Sequence, residues 1–271
     1  YAVTGPALES IFLEVTSRQP ARLAAFVSAS GSAGTLGAGD YLKDNHNTRV
    51  VAVEALEVPT MLYNGFGDHN IQGIGDKHVP LIHNVTNTDL IVGISDKATD
   101  QLDVAFNTPS GLRSLERQGV DPELGSLLTN LGYSSICNIL AAIKAAKHWG
   151  LGPQDVIVTV ATDGSELYNS EREKVMRRDF PGGFDDTEAD TVLGTHLSDV
   201  SGEHILEMDA ANRDRVFNLG YFTWVEQQGI SIDDFERRRN QDWWNELRPL
   251  IEKWDDRISE FNEATGAKHR W

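Results

Sequence analysis

Between residues 24 and 43 the chain changes its hydrophobic period across one tight turn. Ala24-Ala25-Phe26-Val27-Ser28-Ala29-Ser30 is a short apolar run bounded by turn residues, which predicts a buried strand. Leu36, Gly39, Leu42 and Lys43 then recur at helical spacing, in a stretch whose glycines weaken the helix. Gly31-Ser32-Ala33-Gly34-Thr35 joins the two. A strand that enters a helix through such a turn points unpaired N–H groups outward, and the helix dipole favours negative charge there. Ser32 and Thr35 add hydroxyl donors. The turn reads as a phosphate cup, with an ordinary strand-to-helix turn as its plain alternative.

Two familiar phosphate loops do not match. A P-loop needs Lys after its last glycine, and Leu36 follows Thr35. A dinucleotide fingerprint needs Gly at its third and sixth positions, where this chain has Ala33 and Leu36.

Arg49 to Leu56 reads as a second buried strand, so strand–helix–strand implies an α/β fold with a parallel sheet flanked by helices. Pro6 to Val15 reads as a helix with Leu8, Ile11, Phe12 and Val15 on one stripe. Residues 57–80 read as loop, punctuated by Gly65, Gly67, Gly73, Gly75 and Pro80. Asp89 to Ile94 reads as a strand, Ser95 as the cap of a following helix, and residues 107–132 as helix and loop. Ser134 to Lys147 is the strongest helix, alanine-rich, capped by Ser and stopped by Gly150 and Gly152-Pro153. Asp155 to Ala161 reads as another buried strand. Glu171 to Asp190, with Pro181-Gly182-Gly183 and the acidic run Asp185 to Glu188, reads as linker or surface arm. Helices return from Ala211, and Trp243-Trp244, Leu247, Leu250-Ile251, Trp254, Ile258 and Phe261 form a stripe expected to pack.

A net charge of −17 over 271 residues argues against nucleic-acid or anionic-membrane partners. Cys137 is the only cysteine, so no intrachain disulfide forms, and it reads as a core residue. No stretch is long and apolar enough to span a bilayer, and no signal sequence opens the chain, so a cytoplasmic location is expected. The sequon at Asn84 reads as accidental. No paired-His metal spacing occurs; His78 and His83 near Asp76 read as solvated loop residues, and no metal site is expected. The chain opens on Tyr1-Ala2-Val3 without an initiator Met and reads as the middle of a domain.

Thr4-Gly5-Pro6, Gly31 to Thr35, Val53-Glu54, His69-Asn70-Ile71-Gln72-Gly73-Ile74-Gly75, Gly132-Tyr133-Ser134-Ser135 and Asp163-Gly164-Ser165-Glu166 occur in that order. Together they resemble the pyridoxal-phosphate enzymes of fold type II, in the cysteine synthase and cystathionine β-synthase branch. The resemblance covers residues 1 to about 170, leaving 171–271 as a charged linker and helical extension. It implies that Gly31, Ser32, Ala33, Gly34 and Thr35 bind the cofactor phosphate. Ser32 and Ala33 stand where the family usually has Thr and Gly. It implies that Ser134 hydrogen-bonds the pyridine nitrogen, and that Gly73 lies beside the ring and substrate. On its own residues, Ser134 has a plain helix cap as its alternative reading. A neutral hydroxyl at the pyridine nitrogen weakens the electron sink and favours loss of a group from Cβ over transamination.

The family's Schiff-base lysine lies upstream of all these motifs, as does its substrate-carboxylate loop. None of Lys43, Lys77, Lys97, Lys144, Lys147, Lys174, Lys253 and Lys268 stands in a matching context, and Lys144 and Lys147 read as surface cations. No catalytic residue is therefore expected in this chain. The expectation is a pyridoxal-phosphate lyase or β-replacement synthase of amino-acid metabolism, completed by a lysine-bearing segment or companion chain. A dimer or higher oligomer is expected with it. The alternatives are a non-catalytic partner subunit and a binder of another phosphorylated metabolite.

Overall fold

A computed structural model describes residues 3–267. Tyr1, Ala2 and Lys268 lie outside the described residues. In chain order the elements are α1 (Thr4–Val15), β1 (Arg22–Ala29), α2 (Leu36–His46), β2 (Arg49–Ala55) and the short α3 (Thr60–Tyr63). These are followed by β3 (Leu90–Ile94), α4 (Asp96–Phe106), α5 (Pro109–Arg117), α6 (Pro122–Leu127), α7 (Tyr133–Trp149) and β4 (Asp155–Thr159). The remaining elements are α8 (Asn169–Asp179), α9 (Asp186–Leu193), β5 (Ile205–Glu207), α10 (Ala210–Asn218), α11 (Ile232–Arg237), α12 (Gln241–Leu247) and α13 (Leu250–Thr265).

The strands form one sheet in the order β4-β1-β2-β3-β5. β4, β1, β2 and β3 are parallel, and β5 runs antiparallel along β3. Register pairs Val27 with Val51 and with Thr159, and Val53 with Val92. Alternate residues serve opposite faces, as the strand period requires. Ala25, Val27, Val51, Val53, Leu90 and Val92 point to a core shared with α4 and α7. Phe26 packs on the other side with Phe12 and Leu42, while Val50, Ala52 and Ile91 meet Val216 and Phe217 of α10. Burial on both faces explains why β1 and β2 read as continuous apolar runs.

Gly39 shows why α2 tolerates glycines that its propensity disfavours. A Cβ there would stand 2.9 Å from Phe26 and from Val50, so the helix lies closer to the sheet than alanine permits.

Several expectations are corrected. The loop over 57–80 contains α3, held by a buried carboxylate described below. The α1 stripe is only partly buried: Phe12 is in the core, but Ile11 and Val15 are exposed. β4 is a half-buried edge strand rather than a buried one, because β1 alone pairs with it.

The segment expected to be linker or surface arm is instead α8 and α9, and Ala189, Val192 and Leu193 are buried. Its charges misled because they are matched across elements. Arg172 Nε reaches Asp103 at 2.8 Å, Arg178 reaches Asp100 at 3.0 Å, and both aspartates are fully buried on α4. Asp185 closes a capping box with Glu188 at the start of α9. β5 then joins the sheet, so residues beyond 171 complete the layer that the earlier ones begin. The C-terminal stripe is also unlike its expectation: Trp254, Ile258 and Phe261 on α13 are exposed.

Candidate functional site

β1 and β4 end side by side, and a cavity of about 260 Å³ opens at their C-terminal ends. Gly31, Ser32, Ala33, Gly34 and Thr35 form one wall, Gly73 contributes to a second, and Ser134 on the first turn of α7 to a third. The structure thus brings together every residue that the sequence marked for cofactor contact.

The turn keeps its donors open. Among the described residues, the main-chain N–H groups from Gly31 to Leu36 have no hydrogen-bond partner; those of Gly37 and Ala38 reach back to the Gly34 and Thr35 carbonyls. Ala33 has φ of 64°, a left-handed conformation that carries about 1–2 kcal/mol of strain in a non-glycine residue. Its buried methyl packs with Leu36, Val50 and Ala52, which offsets part of that strain. The Thr35 hydroxyl lies 2.6 Å from the Ser28 hydroxyl, and Ser32 is exposed. No Asp, Glu, Lys, Arg or His lines the cavity among the described residues. In a chain of net charge −17, this wall is neutral, and its field comes from main-chain N–H groups and the α2 dipole.

α7 begins at Tyr133 with Gly132 as its cap, so Ser134 is not the capping residue. Its hydroxyl is 3.0 Å from that of Thr162 instead. Four residues on, and so on the same face of α7, Asn138 accepts the Ala29 N–H at 2.7 Å and donates to the Val160 carbonyl at 3.0 Å. That side chain ties the end of β1 to the end of the neighbouring chain segment after β4 at the cavity. Ser28, Asn138 and Thr162 also line it, and the sequence reading missed all of them. A polar residue at the end of each buried strand, and an Asn one turn beyond Ser134, were the available signals.

The loop carrying Gly73 is pinned at both ends. Asp96, at the start of α4, accepts the Asn70 N–H at 2.5 Å and the Ile71 N–H at 3.3 Å. Burial pushes its pKa up to about 6 against the pull of the Asn70 N–H. At the other end the Gly75 N–H donates to the Ser30 carbonyl at 2.9 Å. Gly75 has φ of +91°, and a Cβ on it would stand 2.0 Å from His69 Nε2. Behind the turn, buried Glu54 accepts the Met61 and Leu62 N–H groups at 3.0 and 2.7 Å and so caps α3. Burial raises its pKa to about 7, partly opposed by those two bonds.

The lysines lie elsewhere. Lys43 pairs with Asp89, Lys77 with Asp68 and Lys174 with Glu171, and no lysine lines the cavity among the described residues. Lys144 is not the surface cation expected: it is buried, with its ammonium on two carbonyls. His83 is likewise buried rather than solvated, bonded to Thr88 and held neutral with a pKa near 4 by burial. Among the described residues no cluster of three His, Cys, Asp or Glu could hold a metal ion. Cys137 is fully buried, and burial pushes its thiol pKa far up.

No family model matches the sequence. The chain is 31% identical over 160 residues to cysteine synthase B of Campylobacter jejuni, in a match taking in 58% of this chain and 46% of that protein. The solved hydrogen sulfide-producing enzyme of Fusobacterium nucleatum superposes with a TM-score of 0.50 at 22% identity, over 76% of this chain and 52% of that one. O-acetylserine sulfhydrylase isoform 3 of Entamoeba histolytica gives a TM-score of 0.46 at 26% identity, over 67% of this chain and 48% of that one. The chain spans about half the length of the relatives it matches.

Proposed function

We propose that the chain is, over part of its length, a pyridoxal-phosphate enzyme of fold type II, and that its cavity holds pyridoxal 5'-phosphate for elimination or replacement at Cβ of an amino acid, a reading supported by its likeness to cysteine synthase B. The observation that carries this reading is the run of open N–H groups from Gly31 to Leu36 at a cavity that Gly31 to Thr35 line and that, among the described residues, no acidic side chain lines.

The residues fit the cofactor. The phosphate would sit on the Gly31–Thr35 turn, where main-chain N–H groups and the α2 dipole meet an anion without a charged side chain. Thr35, oriented by Ser28, adds a hydroxyl donor there. Gly73, which bears no side chain, leaves room for the ring and the amino acid beside it. Ser134 would donate to the pyridine nitrogen. A hydroxyl is far too weak an acid to protonate that nitrogen, so Ser134 fixes the ring without charging it. When bound, the cofactor supplies an electron sink for the Cα–H bond, and a neutral ring favours loss of the Cβ substituent over transamination.

The lysine that would carry the cofactor and move the Cα proton belongs, in this reading, to residues outside the present sequence, on the same polypeptide or on a companion chain. That no lysine lines the described cavity supports this division and also favours the second reading, a non-catalytic partner subunit. The experiment is to purify the protein in its native assembly, measure the intact masses, and assay an amino acid bearing a leaving group at Cβ. A lysine-bearing segment, bound cofactor and Cβ products are expected. Bound cofactor without turnover in the completed assembly would count against catalysis, and an assembly that never holds cofactor would overturn the enzyme reading and favour the partner subunit.

A further inference from the structure

A second cavity, of about 200 Å³, lies beside the C-terminal end of β3, at the same edge of the parallel strands as the first. Gly93, Ile94 and Ser95 form its back, Leu140 and Lys144 of α7 its floor, and the chain between 195 and 204 its rim. Lys144 is only 7% exposed. Its Nζ donates to the Gly93 carbonyl at 3.2 Å and to the Glu203 carbonyl at 2.8 Å. An ammonium has three N–H groups, so one remains, on a group that lines the cavity. That third N–H can meet an acceptor held in the cavity, where a charged donor makes a stronger bond than a neutral one.

The rim carries the opposite sign. Glu203 lines the cavity and is exposed, with no ion-pair partner among the described residues. The two residues adjoin, since the Glu203 carbonyl accepts Lys144 Nζ at 2.8 Å and both line the cavity; burial lowers the Lys144 pKa and the Glu203 carboxylate opposes that shift. Between them Leu56, Ile94, Ala98 and Val200 form an apolar wall, and Ser201, His196 and His204 complete the lining, the His196 ring bonded to Gln101 and the His204 ring to the Tyr63 hydroxyl. Ser95 spends its oxygen on the Ala98 N–H and so keeps its own proton to donate. A cation at the floor and an anion at the mouth disfavour a plain carboxylate, which Glu203 repels, and a plain amine, which Lys144 repels. They suit a molecule that bears both charges. At roughly 30 Å³ per water-sized atom, the space takes about six or seven non-hydrogen atoms.

We infer that this cavity binds a small free α-amino acid, its carboxylate on Lys144 and its ammonium toward Glu203, at a site separate from the Gly31–Thr35 turn. The inference does not rest on the cofactor reading, because none of its residues lines the first cavity.

The test is NMR of the 271-residue chain carrying 13C-labelled lysine, with the Lys144 Cε resonance assigned by its loss in Lys144→Arg. L-Alanine, which has no leaving group at Cβ, should shift that resonance saturably. Acetate and methylamine should each bind at least tenfold more weakly. Thr195→Trp, at the exposed rim, and Glu203→Gln should each weaken alanine at least fivefold without disturbing the fold. Saturating inorganic phosphate, directed at the glycine turn, should leave the alanine affinity unchanged. The proposal is overturned by an unmoved Lys144 resonance, by acetate binding as well as alanine, by rim variants that bind normally, or by phosphate competition.

Discussion

Replacing Gly75 by alanine separates two forces that hold the Gly73 loop over the cavity. The residue has φ of +91°, so any side chain there bears a backbone strain of about 1–2 kcal/mol. The new methyl would also stand 2.0 Å from His69 Nε2 and 2.8 Å from its Cδ2, which forces the ring or the loop to move. Overpacking of that kind costs about 1–3 kcal/mol. Restricting the unfolded chain returns about 0.4–1 kcal/mol. The net expectation is a loss of about 3 kcal/mol, measured by urea unfolding. Gly73, with φ of +81° and nothing within 4 Å of its Cβ position, carries only the backbone part, so Gly73→Ala should lose about 1 kcal/mol. The double variant His69→Ala/Gly75→Ala removes the collision and not the strain, and should recover about 1–2 kcal/mol relative to the sum of the single variants. Additive single effects, or a Gly75→Ala no worse than Gly73→Ala, would refute the assignment of His69 as the neighbour that demands glycine.

The remaining predictions concern charge. Glu54 binds its proton more tightly in the fold, with a pKa near 7, than in the unfolded chain near 4.5, so its contribution is full below about pH 4.5 and is lost as pH rises through 7. At about 1.4 kcal/mol per unit this amounts to about 3 kcal/mol, and Glu54→Gln should flatten the stability profile between pH 5 and 8. His83 acts with the opposite sign: its folded pKa near 4 lies below the unfolded value of 6.5, so stability falls as pH drops through that interval, and His83→Gln should remove that loss. Arg172→Met strands the buried Asp103 carboxylate and should cost about 3–5 kcal/mol, most of it restored in Arg172→Met/Asp103→Leu. Asp96→Asn leaves one oxygen for the Asn70 and Ile71 N–H groups; it should loosen the Gly73 loop by about 1–2 kcal/mol, read as faster hydrogen exchange at Ile71.

The parallel layer was legible because its strands carry their own evidence: buried on both faces, β1, β2 and β3 are predominantly apolar, with Ser28 and Glu54 their buried polar exceptions. The glycine turn was legible for the same local reason. What stayed hidden depends on partners distant in sequence. Arg172 and Arg178 look like solvent-facing charges until α4 supplies Asp103 and Asp100, and Lys144 looks like a helix-end cation until the carbonyls of Gly93 and Glu203 enclose it. α3 has four residues and is set by Glu54 from a neighbouring strand, so no periodicity announces it. At the cavity, Ser134 and the turn were marked by motif, whereas Asn138 and Thr162 became visible only when the ends of β1 and β4 met.

The most direct measurement is the affinity of this chain for 4'-deoxypyridoxine 5'-phosphate against 4'-deoxypyridoxine, by titration calorimetry. Both lack the aldehyde and so cannot attach to surface lysines. If the open N–H groups of Gly31 to Leu36 hold the phosphate, the phosphorylated compound should bind at least a hundredfold more tightly, about 3 kcal/mol, and Thr35→Val should remove about tenfold of that. Equal affinity for the two compounds, or a preference that Thr35→Val leaves untouched, would contradict the account.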